Sequence, residues 1–165
     1  MRSAVGAAIV AAMPQLPPLS SDALIELSPD TAEAVATAHA WERAFNERDL
    51  DRMLALSTED CDLPTRHADR GHDAVRRLLH LQSYGVAHHV RACRYLARGA
   101  TVVVDAVIEL RWVETGELAE TTQGAAVIDV HDGRVRRFRP QPDVPSALQA
   151  AGWTGRETLG RGRSH

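Results

Sequence analysis

Period-two alternation dominates the second half of the chain. In ATVVVDAVIELRWV, Val102, Val104, Ala106, Ile108, Leu110 and Trp112 share one face of an extended segment, and Asp105, Glu109 and Arg111 share the other. Two further strands, in ELAETTQGAAVIDV and RVRRFRP, fold back at Glu114-Thr115-Gly116-Glu117 and at His131-Asp132-Gly133. An earlier strand at about 87–96 opens this antiparallel meander after Gly85 and turns at Arg98-Gly99.

The first half has helical spacing instead. A helix is predicted from about residue 28 to 46, with Ser28 as N-cap, Pro29 in the first turn, and an apolar stripe of Val35, Ala38, Trp41 and Phe45. After a break at 46–49, Leu50, Met53 and Leu54 line a short second helix ending near 57 or 58, and 61–65 reads as a brief extended segment. GHDAVRRLLHLQ gives a third helix with Val75, Leu78 and Leu79 inward, and DVPSALQAAGW closes the chain as a short helix stopped at Gly152. Helices first and a meander afterwards predict an α+β fold: a curved antiparallel sheet wrapped around three helices, with a cone-shaped pocket between the layers.

Residues 28–152 form the predicted domain, between an alanine-rich arm at 1–27 and a Gly/Arg-rich tail at 153–165. The arm's apolar run is too short to span a bilayer, and it lacks a clear cleavage site for export. With 44% apolar residues in 165, the chain can bury a core without staples, and Cys61 and Cys93 have no paired spacing. A net charge of −3 argues against a nucleic-acid-binding surface, and the run Arg134, Arg136, Arg137 and Arg139 alternates between strand faces. All 19 basic residues are arginine, a composition expected of a GC-rich bacterial genome. The eight histidines show no metal-binding spacing and no cofactor fingerprint is present, so no cofactor or metal is expected. These features point to a cytoplasmic protein.

WERAFNERDLDRMLAL, then GHDAVRRLL, then a last strand of DGRV type resemble, in order and spacing, the SnoaL-like members of the nuclear transport factor 2 superfamily over residues 30 to 152. The resemblance implies a cone, usually dimeric through the sheet, that holds an apolar ligand. Its relatives include ketosteroid isomerases, polyketide cyclases and limonene epoxide hydrolases, whose chemistry rests on carboxylates in the cone. Here those positions are empty of carboxylates. Where the hydrolases read GRITLWRDYFD, this chain reads GRVRRFRPQPD, and the aspartate falls on Pro140. Their neighbouring arginine and aspartate fall on Ala106 and Ile108, and the isomerase base falls on Thr65. A shift of one residue in alignment would bring in Asp62 or Asp143 instead.

Beside these positions stands His67, two residues past Thr65, the candidate catalytic base if the chain is an enzyme. Tyr84 and His88 flank Gly85 near the expected cone mouth. The expected pocket is lined by Trp41, Phe45, Leu63, Thr65, Tyr84, Val104, Trp112 and Phe138. The leading expectation is a domain holding a small, largely apolar molecule, as a homodimer through the sheet, with no nucleic-acid or membrane partner. Two alternatives stand beside it: an isomerase, cyclase or epoxide-hydrolase type of enzyme using His67, and a protein-interaction module using the open sheet face.

Overall fold

The computed structural model describes residues 28–65 and 69–153. The arm at 1–27, the triplet 66–68 that contains His67, and residues 154–165 lie outside them. The described elements run in the order α1 (Pro29–Glu47), α2 (Leu50–Ala55), β1 (Ser57–Asp62), α3 (Gly71–Leu81), β2 (Val86–Arg98), β3 (Thr101–Trp112), β4 (Leu118–His131), β5 (Arg134–Gln141) and α4 (Val144–Ala150).

Local chemistry fixes the helical hairpin. Ser28 Oγ accepts the Thr31 N–H at 3.4 Å to start α1. Arg48, left-handed at φ 59°, ends it, and the Asp49 carboxylate caps α2 through the Arg52 N–H at 3.0 Å. The second helix ends earlier than its pattern suggests, because Ser57 already belongs to β1. STEDCD has no apolar alternation of its own. It becomes a strand by pairing in parallel with β5, where Ser57 stands opposite Val135.

The sheet order is β1-β5-β4-β3-β2, antiparallel from β5 through β2 as expected and mixed only at the β1 edge. Asp132 and Gly133, both at positive φ, make the tight β4–β5 turn. Register irregularities at Ala92/Arg94, Leu110/Arg111 and Asp129/Val130 interrupt the three antiparallel ladders, and such bulges bend strands and raise their twist.

The inner face of β3 packs under the helices as its alternation predicts. Val102, Val104 and Ala106 join Ala38, Trp41, Phe45, Met53 and Val75 in one core. Asp105 and Glu109 take the opposite face, in ion pairs with Arg94 at 3.3 Å and Arg111 at 2.7 Å. Trp112 departs from the expectation: at the far end of the hairpin it is 50% exposed, past the reach of the helices.

A smaller core lies on the outer face. α4 folds back over the sheet, so Val103, Val127 and Ala147 are buried together with Leu96 and Val144 beside them. Trp153, the first residue of the expected tail, packs against this cluster, and the Arg98 guanidinium lies over its ring at 5.4 Å. Val103, on the outer face of β3, is thereby covered by α4.

Strand β2 is a sheet edge, and side chains occupy its outward backbone groups. The Asn46 amide donates to the Val90 carbonyl at 2.6 Å and accepts the Val90 N–H at 2.8 Å. Glu42 accepts the Ala92 N–H at 3.0 Å, Gln82 accepts the His88 N–H at 2.7 Å, and Arg48 donates to the His88 carbonyl at 2.7 Å. One turn of α1 spans about 5.4 Å, close to two residues of strand, so Glu42 and Asn46 meet alternate β2 residues. Between His88 and Ala92 the edge is thereby closed to further strand pairing.

Candidate functional site

Helix α1 presents Ala38, Trp41, Glu42 and Phe45 to the sheet at i, i+3, i+4 and i+7. The facing strands do not fill the space beneath them. β3 offers Val104, Ala106 and Ile108, β4 offers Gly124, Ala126 and Ile128, and β5 offers Phe138 and Pro140. A cavity of about 230 Å³ remains, lined also by Leu78 and Gln82 of the α3 terminus and by His88 and Val90 of β2. Small residues keep it open. At Gly124 an added Cβ would stand 2.9 Å from Ile108 Cδ1, so any side chain there would crowd the wall.

Aromatic packing makes the cavity's rigid side. Trp41 stacks on Phe45 with ring centres 6.3 Å apart and meets Phe138 at a 32° tilt with centres 5.1 Å apart. Its Nε1–H donates to Ser57 Oγ at 3.1 Å, and that hydroxyl donates to the Met53 carbonyl at 2.7 Å. The indole is therefore held on its polar and apolar sides at once.

Three polar side chains interrupt the apolar wall: Glu42, Gln82 and His88. The Glu42 carboxylate accepts the Ala92 N–H and a short hydrogen bond from the Tyr95 hydroxyl. Burial, then the hydrogen bond to Glu42 and its charge, push the Tyr95 phenol well above its ordinary range. Gln82 Oε1 accepts the His88 N–H and lies 3.0 Å from His88 Nδ1. Burial, and secondarily the nearby Arg48 cation, lower the His88 pKa from its ordinary 6.5, so the imidazole is neutral at pH 7.

This shift has a testable sign. A histidine whose folded pKa is depressed binds fewer protons folded than unfolded, so its contribution is full above the unfolded value of 6.5 and is lost as pH falls through the folded value. Between about pH 7.5 and about pH 5, where histidine titrates, urea unfolding should show the parent protein losing more stability than His88→Gln. Equal losses would mean that the imidazole environment does not favour the neutral form.

Not all the expected pocket residues meet at this cavity. Trp41, Phe45, Val104 and Phe138 line it. Leu63 is buried in the helix-side core, while its neighbour Pro64 reaches the wall. Strand β1 ends at Asp62 and the Thr65 N–H bonds the Leu63 carbonyl at 2.9 Å, a tight turn that breaks the alternation placing Leu63 and Thr65 on the cavity face. Thr65 is not on the wall. Tyr84, 63% exposed, packs edge-on against His80 outside the cavity, and Trp112 lines an open surface groove with Leu50 and Val113. His67 lies outside the described residues.

The two substitute carboxylates are engaged elsewhere. Asp143 caps α4 by accepting the Ser146 N–H at 2.8 Å, and that bond holds its pKa below the usual range. Asp62 pairs with Arg137 at 3.3 Å on the surface. Neither lines the cavity. Pro140, Ala106 and Ile108 all do, so the positions matched by resemblance to hydrolase catalytic residues are apolar wall.

Glu42 and Gln82 were missed from the sequence, although each carries a signal. Glu42 stands in register with Ala38 and Phe45, and Gln82 with Val75, Leu78 and Leu79: a polar residue inside an apolar stripe. Among the described residues no group of three or more His, Cys, Asp or Glu is placed to hold a metal ion.

The layout of four helices around a bent five-stranded sheet matches solved structures. The chain has the nuclear transport factor 2-like fold. A nuclear transport factor 2-like protein from Burkholderia xenovorans superposes with TM-score 0.56 at 24% identity, over 75% of this chain and 98% of that one. An LEH-like epoxide hydrolase from M. tuberculosis superposes with TM-score 0.59 at 26% identity, over 73% of this chain and 90% of the other. A candidate polyketide cyclase from Xanthomonas campestris pv. campestris gives 0.59 at 24% identity, over 67% and 90% of the two chains. No family model matches the chain, and no curated protein matches it in sequence. Within the nuclear transport factor 2-like fold, the cavity of this chain lies between the helices and the concave sheet face. Among the described residues no helix is long and apolar enough to cross a membrane.

Proposed function

We propose that this protein binds a small, largely apolar molecule in the cavity between α1, α3 and the inner sheet face. One observation carries the reading: a void of about 230 Å³ is kept open in the middle of the core by Ala38, Ala106, Gly124 and Ala126. Protein interiors otherwise pack with few spaces larger than a water, so an unfilled apolar volume of this size marks a ligand site. It also weighs against the interaction-module reading, which would have Trp41, Trp112 and Phe138 fill the cone; Trp112 stands outside, and the other two form walls. The test is a titration with naphthalene followed through tryptophan fluorescence. Saturable binding at one site per chain supports the proposal, and no binding up to the solubility limit of naphthalene contradicts it.

A catalytic reading has one observation in its favour, the neutral His88 imidazole on the cavity wall. In that reading His88, rather than His67, is the base that the described cavity supplies. The resemblance to an epoxide hydrolase adds little, since Ala106, Ile108 and Pro140 carry no acid or base.

The proposed assembly is a homodimer joined through the outer sheet face, in the cytoplasm, where the free thiols of Cys61 and Cys93 stay reduced. The surface left beside α4 carries Val107 among His89, Arg91, Thr121 and Gln123, and a symmetric partner would cover it. Light scattering should give a mass of twice 18.0 kDa at micromolar concentration; a single species of 18.0 kDa would rule the dimer out.

A further inference from the structure

The apolar face of β3 continues past the cavity. The irregularities in its two ladders skip Cys93 of β2 and Ala119 of β4 but no residue of β3, so its own alternation is unbroken. Leu110 and Trp112 therefore point to the same side as the wall residues Val104, Ala106 and Ile108. Leu110 is half-buried and Trp112 is 50% exposed, where the helices no longer cover the sheet. Trp112 lines the open groove outside, and Gln82, at the end of α3, lines both that groove and the cavity. The two spaces thus adjoin at Gln82 and share one strand face beneath.

This exposed continuation is narrow. Directly opposite Leu110 stand His88 on β2 and Glu120 on β4, and Thr122 stands opposite Ile108. Opposite residues share a face of the sheet, so these exposed polar side chains form a rim on both sides of the apolar strip. With strands about 4.8 Å apart, the strip is one strand wide, and from Ile108 to Trp112 it runs about 13 Å. An apolar surface rimmed by polar groups marks a binding groove. A single-strand width suits a chain better than the flat surface of a protein partner.

We infer that the ligand is an elongated apolar molecule, a chain of alkyl type, with one end in the cavity and the rest lying along Leu110 and Trp112. This rests on the cavity being the ligand site. A compact molecule such as naphthalene uses the cavity alone, whereas a longer one also takes Leu110 and Trp112 out of water, and its affinity rises with the apolar area buried. The homodimer proposed above joins the opposite sheet face and leaves the strip open.

Displacement of naphthalene by hexan-1-ol and by dodecan-1-ol, followed by fluorescence, tests the inference. The parent protein should bind dodecan-1-ol about thirtyfold or more tightly than hexan-1-ol, since the added methylenes lie on the strip. Leu110→Ser and Trp112→Ser should each cut that ratio about threefold or more while hexan-1-ol affinity stays within about twofold, which also reports that each variant is folded. If naphthalene binds but the longer alcohol gains nothing, or the ratio survives both substitutions, the elongated ligand is overturned and the cavity reading stands. Loss of a dimer mass in light scattering on Trp112→Ser would assign the strip to a second copy and overturn it equally. If naphthalene does not bind, the cavity reading falls, and this inference with it.

Discussion

Replacing Trp41 with alanine should cost about 3–5 kcal/mol of folding stability, the range for truncating a buried aromatic. Trp41 is 4% exposed and joins three parts of the structure. Its ring touches Phe45 along α1 and Phe138 across on β5, and its Nε1–H holds Ser57 where α2 passes into β1. The substitution would merge the space left by the indole with an existing cavity, so the walls have little to collapse onto. It would also leave Ser57 Oγ, fully buried, without its donor. Trp41→Phe keeps most of the ring contact and should cost less than half as much. Urea denaturation gives both values, with an unchanged m confirming that the folded state is comparable. A loss below about 1 kcal/mol for Trp41→Ala would mean that the aromatic wall is not what holds the helices to the sheet.

The second large effect is on binding. Ala106 sits on the inner face of β3 at the cavity wall and is 5% exposed, so Ala106→Trp projects an indole into the 230 Å³ space. Naphthalene affinity should fall about a hundredfold or more, equivalent to about 2.7 kcal/mol. Stability should change by only about 1–3 kcal/mol, since the new ring enters a void rather than a packed region. Val107→Trp, one residue along and on the opposite face, is the control. It should leave naphthalene binding unchanged. If Ala106→Trp remains folded and binds as well as the parent, the ligand lies elsewhere.

Much of this was legible in the chain before any coordinates. The β3 alternation from Val102 to Ala106 and the stripe Ala38, Trp41, Phe45 identify the two surfaces that face each other, because burial on one side imposes a period on each element. Where the readings failed, tertiary contacts had overridden local pattern. Polar STEDCD becomes a strand only by pairing with β5, and the turn at Thr65 reverses the faces of the residues around Pro64. Trp112 continues the β3 period but outruns the helices. Periodicity identifies a face without showing how far along the strand its cover extends. Nothing in local sequence told that α4 would fold back over Val103 and Val127.

The polar end of the cavity was the hardest part to read. Gln82 and His88 are six residues apart on different elements, and their contact depends on the left-handed turn at Gly85 that brings the start of β2 beside the end of α3. Glu42 was more accessible, as a carboxylate in the middle of an apolar stripe. Its role is divided between the Ala92 N–H at the sheet edge and the Tyr95 hydroxyl.

Crystals grown with saturating 2-bromonaphthalene and measured at the bromine absorption edge test the central claim most directly. The account predicts one anomalous peak per chain inside the cavity, with the ring system packed among Trp41, Phe45, Ile108 and Phe138. A peak confined to the outer groove beside Trp112, or a cavity closed by inward movement of Phe138 with no bromine in it, would contradict the claim that this space is a ligand site.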